Sequence, residues 1–340
     1  MSKHYFLLIT FNCLLIVSAG AQDLVDKAHA FLNSLSPELQ REAQFSIEDD
    51  ERKNFHFVPK MRKGPNFNDM GPVQREAALA LLGASLSEQG YQKSIEIMEL
   101  EKVLLAMGQD YKYPDGSPIR DPLRYHLTVF GEPSREAPWG WRFEGHHISL
   151  NFTSDSGKVI SSTPSFFGSN PAIVSTEPYK GRQVLKKEST LALDLVNSLS
   201  DSQLGQARFS DTAPRGIFTG VEREVSLLKP MGIGYTALTS GQQEAFMNLL
   251  EVYIGNYIFD FAEVLRRKIM EAGVDKLHFA WAGGMQWGQP HYYRIQGPML
   301  IIEYDNSQDD ANHVHTVVRD LTNDFAEDFL REHYEKDHKN

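Results

Sequence analysis

The chain has 340 residues, 45 of them Asp or Glu against 34 Lys or Arg, for a formal charge of −11. That acidic balance argues against nucleic acid or an anionic membrane surface as the main partner. The length suffices for one large core or two modest ones, and a single cysteine excludes a disulfide framework.

Residues 1–21 read as an export leader. Lys3 gives a weak positive start, 6–17 is an apolar run, and Ala19 and Ala21 are the small residues before a cut at Gln22. Cys13 lies inside that run, so the mature chain is expected to lack thiolate ligands and cysteine nucleophiles. No other long apolar span occurs, so no membrane insertion is expected, and the implied address is periplasmic or extracellular.

Taken in order, 23–35 carries Leu24, Ala28, Phe31 and Leu32 at helical spacing. Ser36-Pro37-Glu38 opens a second helix over 37–46. Two longer helices are predicted over 72–84 and 87–107. Strands follow at 125–130, 140–145, 147–152 and 159–162, with a turn at Asp155-Ser156-Gly157-Lys158. The Gly- and Pro-containing stretch 166–181 reads as a linker. Beyond it the plan repeats: helices over 185–199, 240–253 and 256–272, strands over 276–282, 291–296, 299–304 and 313–319, and a terminal helix over 324–335.

The repetition extends to residues. Asn33-Ser34-Leu35-Ser36 recurs as Asn197-Ser198-Leu199-Ser200, and Gln74, Glu76 and Ala77 match Gln242, Glu244 and Ala245. Tyr125-His126-Leu127 before Gly131 parallels Leu277-His278-Phe279 before Gly283, and Trp141-Arg142-Phe143-Glu144-Gly145 parallels Tyr293-Arg294-Ile295-Gln296-Gly297. The expected architecture is therefore α+β: an internally duplicated helical layer plus an antiparallel sheet with pseudo-twofold symmetry. Residues 22–175 form the first repeat of one compact domain, and 176–340 form the second, which carries most of the candidate site.

Candidate chemistry concentrates in the late strands. Alternate residues of a strand share a face, so His313 and His315 fall opposite Val314, Thr316 and Val318. Glu303 and Asp305 likewise share a face, and a turn over 306–312 joins the two strands as a hairpin. Two imidazoles and a carboxylate converging in this way are what zinc, copper and non-haem iron sites require. His291 and His147 are further candidate ligands. On strand parity His146 and His147 point to opposite faces, with His147 on the polar one. Glu303 or Asp305 serves as ligand or general base, Arg294 as a clamp for an anionic group, and Tyr293 as a neighbouring hydroxyl. His126 and His278 correspond across the repeat and read as structural. An aromatic set including Trp139, Trp141, Trp281, Trp287 and Tyr292 could line a pocket. The acids at Asp305, Asp309 and Asp310 lack the spacing of a helical calcium loop. No nucleophile elbow, zinc helix, Walker loop or dinucleotide loop is present.

The segments WRFEGHHISLNF from Trp141 and FFGSNP from Phe166 resemble the bacterial family catalogued as domain of unknown function number 3500. So do His291-Tyr292-Tyr293-Arg294, Glu303-Tyr304-Asp305-Asn306, His313-Val314-His315 and Arg319-Asp320. That resemblance covers nearly the whole mature chain; it implies export and supplies no catalytic role. The residues themselves lead to an exported metal-dependent enzyme, hydrolytic in type, acting on a small anionic or aromatic molecule. Zinc is the first choice of ion, with copper or iron as variants. A non-catalytic periplasmic protein that binds a small molecule or metal is the alternative, and an interaction module with an incidental histidine cluster is the third reading.

Overall fold

The computed structural model describes residues 19–221 and 229–337. The expected leader lies outside them except at positions 19–21, which already belong to the first helix. The order opens with α1 (Ala19–Ser34), α2 (Pro37–Ala43), β1 (Gln44–Phe45), α3 (Pro72–Ser85) and α4 (Glu88–Ala106). It continues with β2 (His126–Phe130), β3 (Trp139–Gly145), β4 (Ile148–Asp155), β5 (Lys158–Ser161) and β6 (Ser165–Ser169). Then come α5 (Lys186–Asn197), α6 (Asp201–Ala207), β7 (Arg208–Ser210), β8 (Ile233–Gly234), α7 (Ser240–Ile254) and α8 (Phe259–Ala272). The chain closes with β9 (His278–Gly283), β10 (His291–Gln296), β11 (Leu300–Gln308), β12 (His313–Asp320) and α9 (Glu327–Asp337).

Helix starts follow local chemistry. Ser36 caps α2 by accepting from Leu39 N, with Pro37 pre-set at the first position. Thr239 and Gln242 form a reciprocal capping box on α7, as Ser200 and Gln203 do on α6. Among the described residues no helix is long and apolar enough to cross a membrane.

The fold is α+β around one mixed sheet in the order β1-β2-β3-β4-β6-β12-β11-β10-β9-β7, with β5 beside β4 and β8 beside β9. Two features depart from the expected antiparallel sheet. Each edge is parallel, β1 on β2 and β7 on β9. Those edge strands leave the ends of α2 and α6 directly and return through helices, the kind of crossover that parallel pairing needs. The predicted linker also contains β6, a central strand bonded to β4 and β12. Gly168 and the flanking Pro164 and Pro171 read as loop signals, but Gly168 serves packing. A Cβ there would meet His147 Cγ at 2.8 Å.

The two sheet faces differ in kind. Leu127, Trp141, Phe143, Leu150, Phe167, Val314, Ile302, Tyr293 and Phe279 project into the main apolar core, against the helices. By strand register the opposite face presents Arg142, Glu144, Phe166, His315, Val317, Glu303, Asp305, Tyr292 and Arg294. This polar face is buried too. A second small core of Phe55, Phe57, Phe166, Val317 and Phe325 covers its centre. Burying each such side chain contributes roughly 2 kcal/mol, so the cover is a packed roof over charged groups.

Charge pairing secures that roof. Arg142 donates to Glu144 at 2.7 Å and to the Glu51 carboxylate at 2.7 Å. Arg62 donates to the other Glu144 oxygen at 2.9 Å and to the carbonyls of Val58 and Gly145. The loop 54–65 is thereby stitched to β3, and Phe57 is laid on Phe166 at a centroid distance of 3.7 Å.

Candidate metal centre

The β3–β4 connection is a two-residue turn made of His146 and His147, with Gly145 paired to Ile148. His147 takes φ +63°, a left-handed conformation uncommon for a residue with a side chain. Its N–H donates to Phe57 O and its carbonyl accepts from Gly168 N, both at 2.8 Å, so turn, roof and β6 are locked together. The parity expected of a strand does not apply at a turn. His146 and His147 lie on the same side with their rings stacked at 3.9 Å.

The end of β6, the start of β12 and the end of β11 meet at the same place. His315 pairs with Gly168 on one side and Asp305 on the other. A bulge follows between Asp305 and Gln308, and Asp309, Asp310 and Ala311 turn with positive φ. The hairpin thus places His313 and His315 side by side, with centroids 4.5 Å apart, facing His147. One donor atom from each of His147, His313 and His315 lies within 4.8 Å of the other two. His147 Nε2 and His313 Nε2 are 2.9 Å apart. Two imidazole nitrogens on one tetrahedral zinc sit about 3.3 Å apart at ordinary bond lengths, so adjustments below about 1 Å, mostly inward, would complete a site.

Each imidazole has a polar neighbour; the sequence pointed to Asp305, whereas Asn170, Glu101 and Arg120 were missed. His313 Nδ1 is 2.9 Å from Asp309 Oδ2, and Asn170 Nδ2 is 3.1 Å from the same nitrogen. His315 Nδ1 is 3.6 Å from Asp305 Oδ2. Behind His147, His146 bonds Glu101 of α4, and Arg120 reaches His146 Nδ1 at 3.0 Å. The spacing of Asp309 and His313 was readable as a turn of the hairpin; Glu101, Arg120 and Phe57 carried no local signal.

The electrostatics favour neutral rings. Burial, then the adjacent His146, His315 and His313, push the His147 pKa well below the usual imidazole value. Burial and His315 push His313 down to about 4, against the opposing pull of Asp309. Neutral imidazole is the metal-binding form, so at neutral pH no proton must leave before these two can coordinate. The same shifts predict acid lability of the metal-free chain. The folded pKa lies below the unfolded value near 6.5, so the unfolded chain takes the proton first. His313's contribution is therefore full above about pH 6.5 and is lost as pH falls toward 4, on the order of 3 kcal/mol. Urea denaturation from pH 7 to pH 4 checks it; flat stability across that range would contradict the assignment.

Other candidates lie apart from this cluster. His291 and Tyr293 are on the helix-facing side, because β10 sends Tyr292 and Arg294 to the polar side instead. His291 bonds Gln289 O and stacks between Trp281 and Tyr304, while Tyr293 OH meets Tyr253 OH and Glu188 O. Both are buried among core residues, outside the three-histidine cluster. Glu303 faces the polar side, but its carboxylate accepts from Phe218 N at 2.7 Å, Thr219 N at 2.8 Å, the Thr219 hydroxyl and Tyr292 OH at 2.7 Å. With four donors it anchors the loop 217–220 and has no room to act as a base or ligand. His126 bonds Gly64 O and His278 bonds Lys276 O, both away from the cluster. Trp139, Trp141 and Trp281 are core, and Trp287 is exposed.

Gly168 supplies a direct probe. Gly168→Ala would push on His147 Cγ and Cδ2 at 2.8 and 3.0 Å and on Phe166. We expect a stability loss of about 1–3 kcal/mol by denaturant titration, with a larger proportional loss of metal affinity. Unchanged zinc binding would show that His147 is not held by this contact.

The sheet and the three-histidine end of it define an α+β domain with a candidate mononuclear metal centre. The chain belongs to the family described as Protein of unknown function (DUF3500), which matches residues 18–327. No curated protein and no solved structure matches it.

Proposed function

We propose that this protein is an exported metal-dependent enzyme, hydrolytic in type, acting on a small anionic or aromatic molecule. The observation that carries the reading is the convergence of His147 with His313 and His315, which are remote in sequence and adjacent at one end of the central strands. Three imidazoles without thiolate match a catalytic zinc set with an open position; copper and iron are the variants the same donors admit. An ion held there would polarise an acyl or phosphoryl oxygen or lower the pKa of bound water. Export rests on the leader pattern of residues 1–21.

Support for an anionic substrate comes from Arg294. It is buried on the polar face, and no hydrogen bond or ion pair to it is found among the described residues; its Nε has no partner. At the corresponding place in the first half, Arg142 is neutralised by Glu51 and Glu144. A buried guanidinium with an unpaired Nε and no ion pair among the described residues is costly, and an incoming carboxylate or phosphate would offset it. Arg294→Met should leave the fold at least as stable and raise KM for anionic substrates. If stability instead drops by more than about 3 kcal/mol in denaturant titration, the arginine is structurally paired.

Duplication belongs to the same reading. Strands β2, β3 and β4 begin at 126, 139 and 148, and β9, β10 and β11 begin at 278, 291 and 300, each 152 later. The sheet order runs outward from the β6–β12 seam through matching strands to a parallel edge on each side. On that alignment Met299 stands where the first half has His147, so one half keeps the imidazole and the other does not.

The test begins with metal analysis of natively purified protein, followed by turnover against ester, peptide and phosphoester panels. About one equivalent of ion and turnover support the enzyme. An ion without turnover on any substrate favours the non-catalytic binding protein, a reading to which the burial of His147 lends weight. No ion at all removes both.

A further inference from the structure

Asp305 stands out among the buried acids. It is 0 % exposed, and neither carboxylate oxygen has a hydrogen-bond partner among the described residues. The neighbouring acids of the same face are all satisfied: Glu303 by four donors, Glu144 by two arginines, and Asp324 by Arg319 and Asp320 N. The fold therefore supplies partners to buried carboxylates as a rule and leaves this one open. A carboxylate stripped of water and donors is held only at a cost of several kcal/mol, so a donor or cation is to be expected beside it. Among the described residues the only imidazole or cation within ion-pair distance is His315, whose Nδ1 lies 3.6 Å from Oδ2 across the β11–β12 pair.

Asp305 does not belong to the set of residues whose donor atoms are mutually within 4.8 Å. That placement weighs against its being a direct ligand. The neighbouring pair shows the alternative at closer range. Asp309 Oδ2 lies 2.9 Å from His313 Nδ1, while His313 Nε2 points to His147.

We propose that Asp305 is a positioning residue: it accepts the Nδ1 hydrogen of His315 and so reserves Nε2 of that ring for the ion. This rests on the metal reading above and deepens it. All three imidazoles then donate through Nε2, two of them backed by carboxylates of the same hairpin. A shift of His315 by roughly 0.7 Å brings its Nδ1 to ordinary hydrogen-bond distance. The carboxylates fix the tautomer and orientation of the rings and raise their basicity, which suits a borderline divalent ion that retains water as a further ligand. Asp305, assigned from sequence as ligand or base, thereby acquires a different task.

The test uses the full metal-stripped chain and Zn2+ alone as probe. Long-range 1H–15N NMR should show His315 carrying its hydrogen on Nδ1, and Zn2+ competition titration should show one site. Asp305→Leu should weaken that site by about 10–100-fold. Asp305→Asn, which keeps an acceptor oxygen at the same place, should recover most of the loss with an unchanged set of zinc neighbours by X-ray absorption. Wild-type affinity in Asp305→Leu, or the hydrogen on Nε2 of His315, would overturn the proposal. Loss of one oxygen neighbour in Asp305→Asn would overturn it in favour of direct ligation. A wild-type chain that takes up no Zn2+ removes the metal reading and the donor assignment with it. The tautomer, read without metal, decides the Asp305–His315 hydrogen bond separately.

Discussion

His313→Ala and His147→Ala should each empty the metal site while leaving the sheet folded. His313 Nε2 and His147 Nε2 lie 2.9 Å apart. His146 is adjacent but is engaged by Glu101 and Arg120. Removing a ligand must cost more than removing an outer partner, which alone costs about 10–100-fold in affinity. Zinc content after native purification should fall from one equivalent to near zero in both variants, and any turnover should vanish with it. Retention of stoichiometric metal in both would dismiss the centre as drawn. Fold integrity is checked by denaturation at pH 7, where loss of a neutral, partly exposed ring such as His313 should have little effect.

The second large effect concerns stability. Glu144 sits between Arg142 and Arg62, which it meets at 2.7 and 2.9 Å, with all three side chains almost wholly buried. Glu144→Gln keeps the shape but removes the shared negative charge. Arg142 retains Glu51, whereas Arg62 is left with backbone carbonyls. Breaking one side of a buried ion pair typically costs 3–5 kcal/mol, and that is the loss we expect by urea titration. By contrast, breaking the exposed pair Arg331–Asp328 should cost less than about 1 kcal/mol. Because Arg62 and Arg142 hold the loop 54–65, Glu144→Gln should also loosen Phe57 from Phe166 and weaken ion binding indirectly. Equal, small effects from the two pairs would refute the view that the roof is fastened electrostatically.

Much of the fold was legible because period and punctuation agreed. Helices α3 and α4 show apolar residues at helical spacing behind Gly71-Pro72 and Ser87. Strand β10 matches its expected limits, and β12 alternates between His313/His315 and Val314/Thr316 as the pleat requires. What misled was residue chemistry whose cause is tertiary. Gly168 reads as a breaker, yet it is a strand residue kept bare by the ring of His147. His146 and His147 look like strand residues but form the turn itself, so their directions follow turn geometry and not alternation. His291, Tyr293 and Glu303 have the right chemical types for a site. Register, set by pairing two strands away, commits the first two to the core and the third to a loop. The backing groups Glu101 and Phe57 come from segments with no periodic relation to the histidines.

Strand β12 is the last of the sheet in the chain and yet lies in its middle, between β6 and β11. A nascent polypeptide that has not yet released residue 313 owns a single imidazole of the three. It also has two unjoined sheet edges. Assembly of the three-histidine cluster is then necessarily a terminal event of folding, coincident with the zipping of the final strand, and a chain truncated ahead of it would have a split sheet and one histidine of the three.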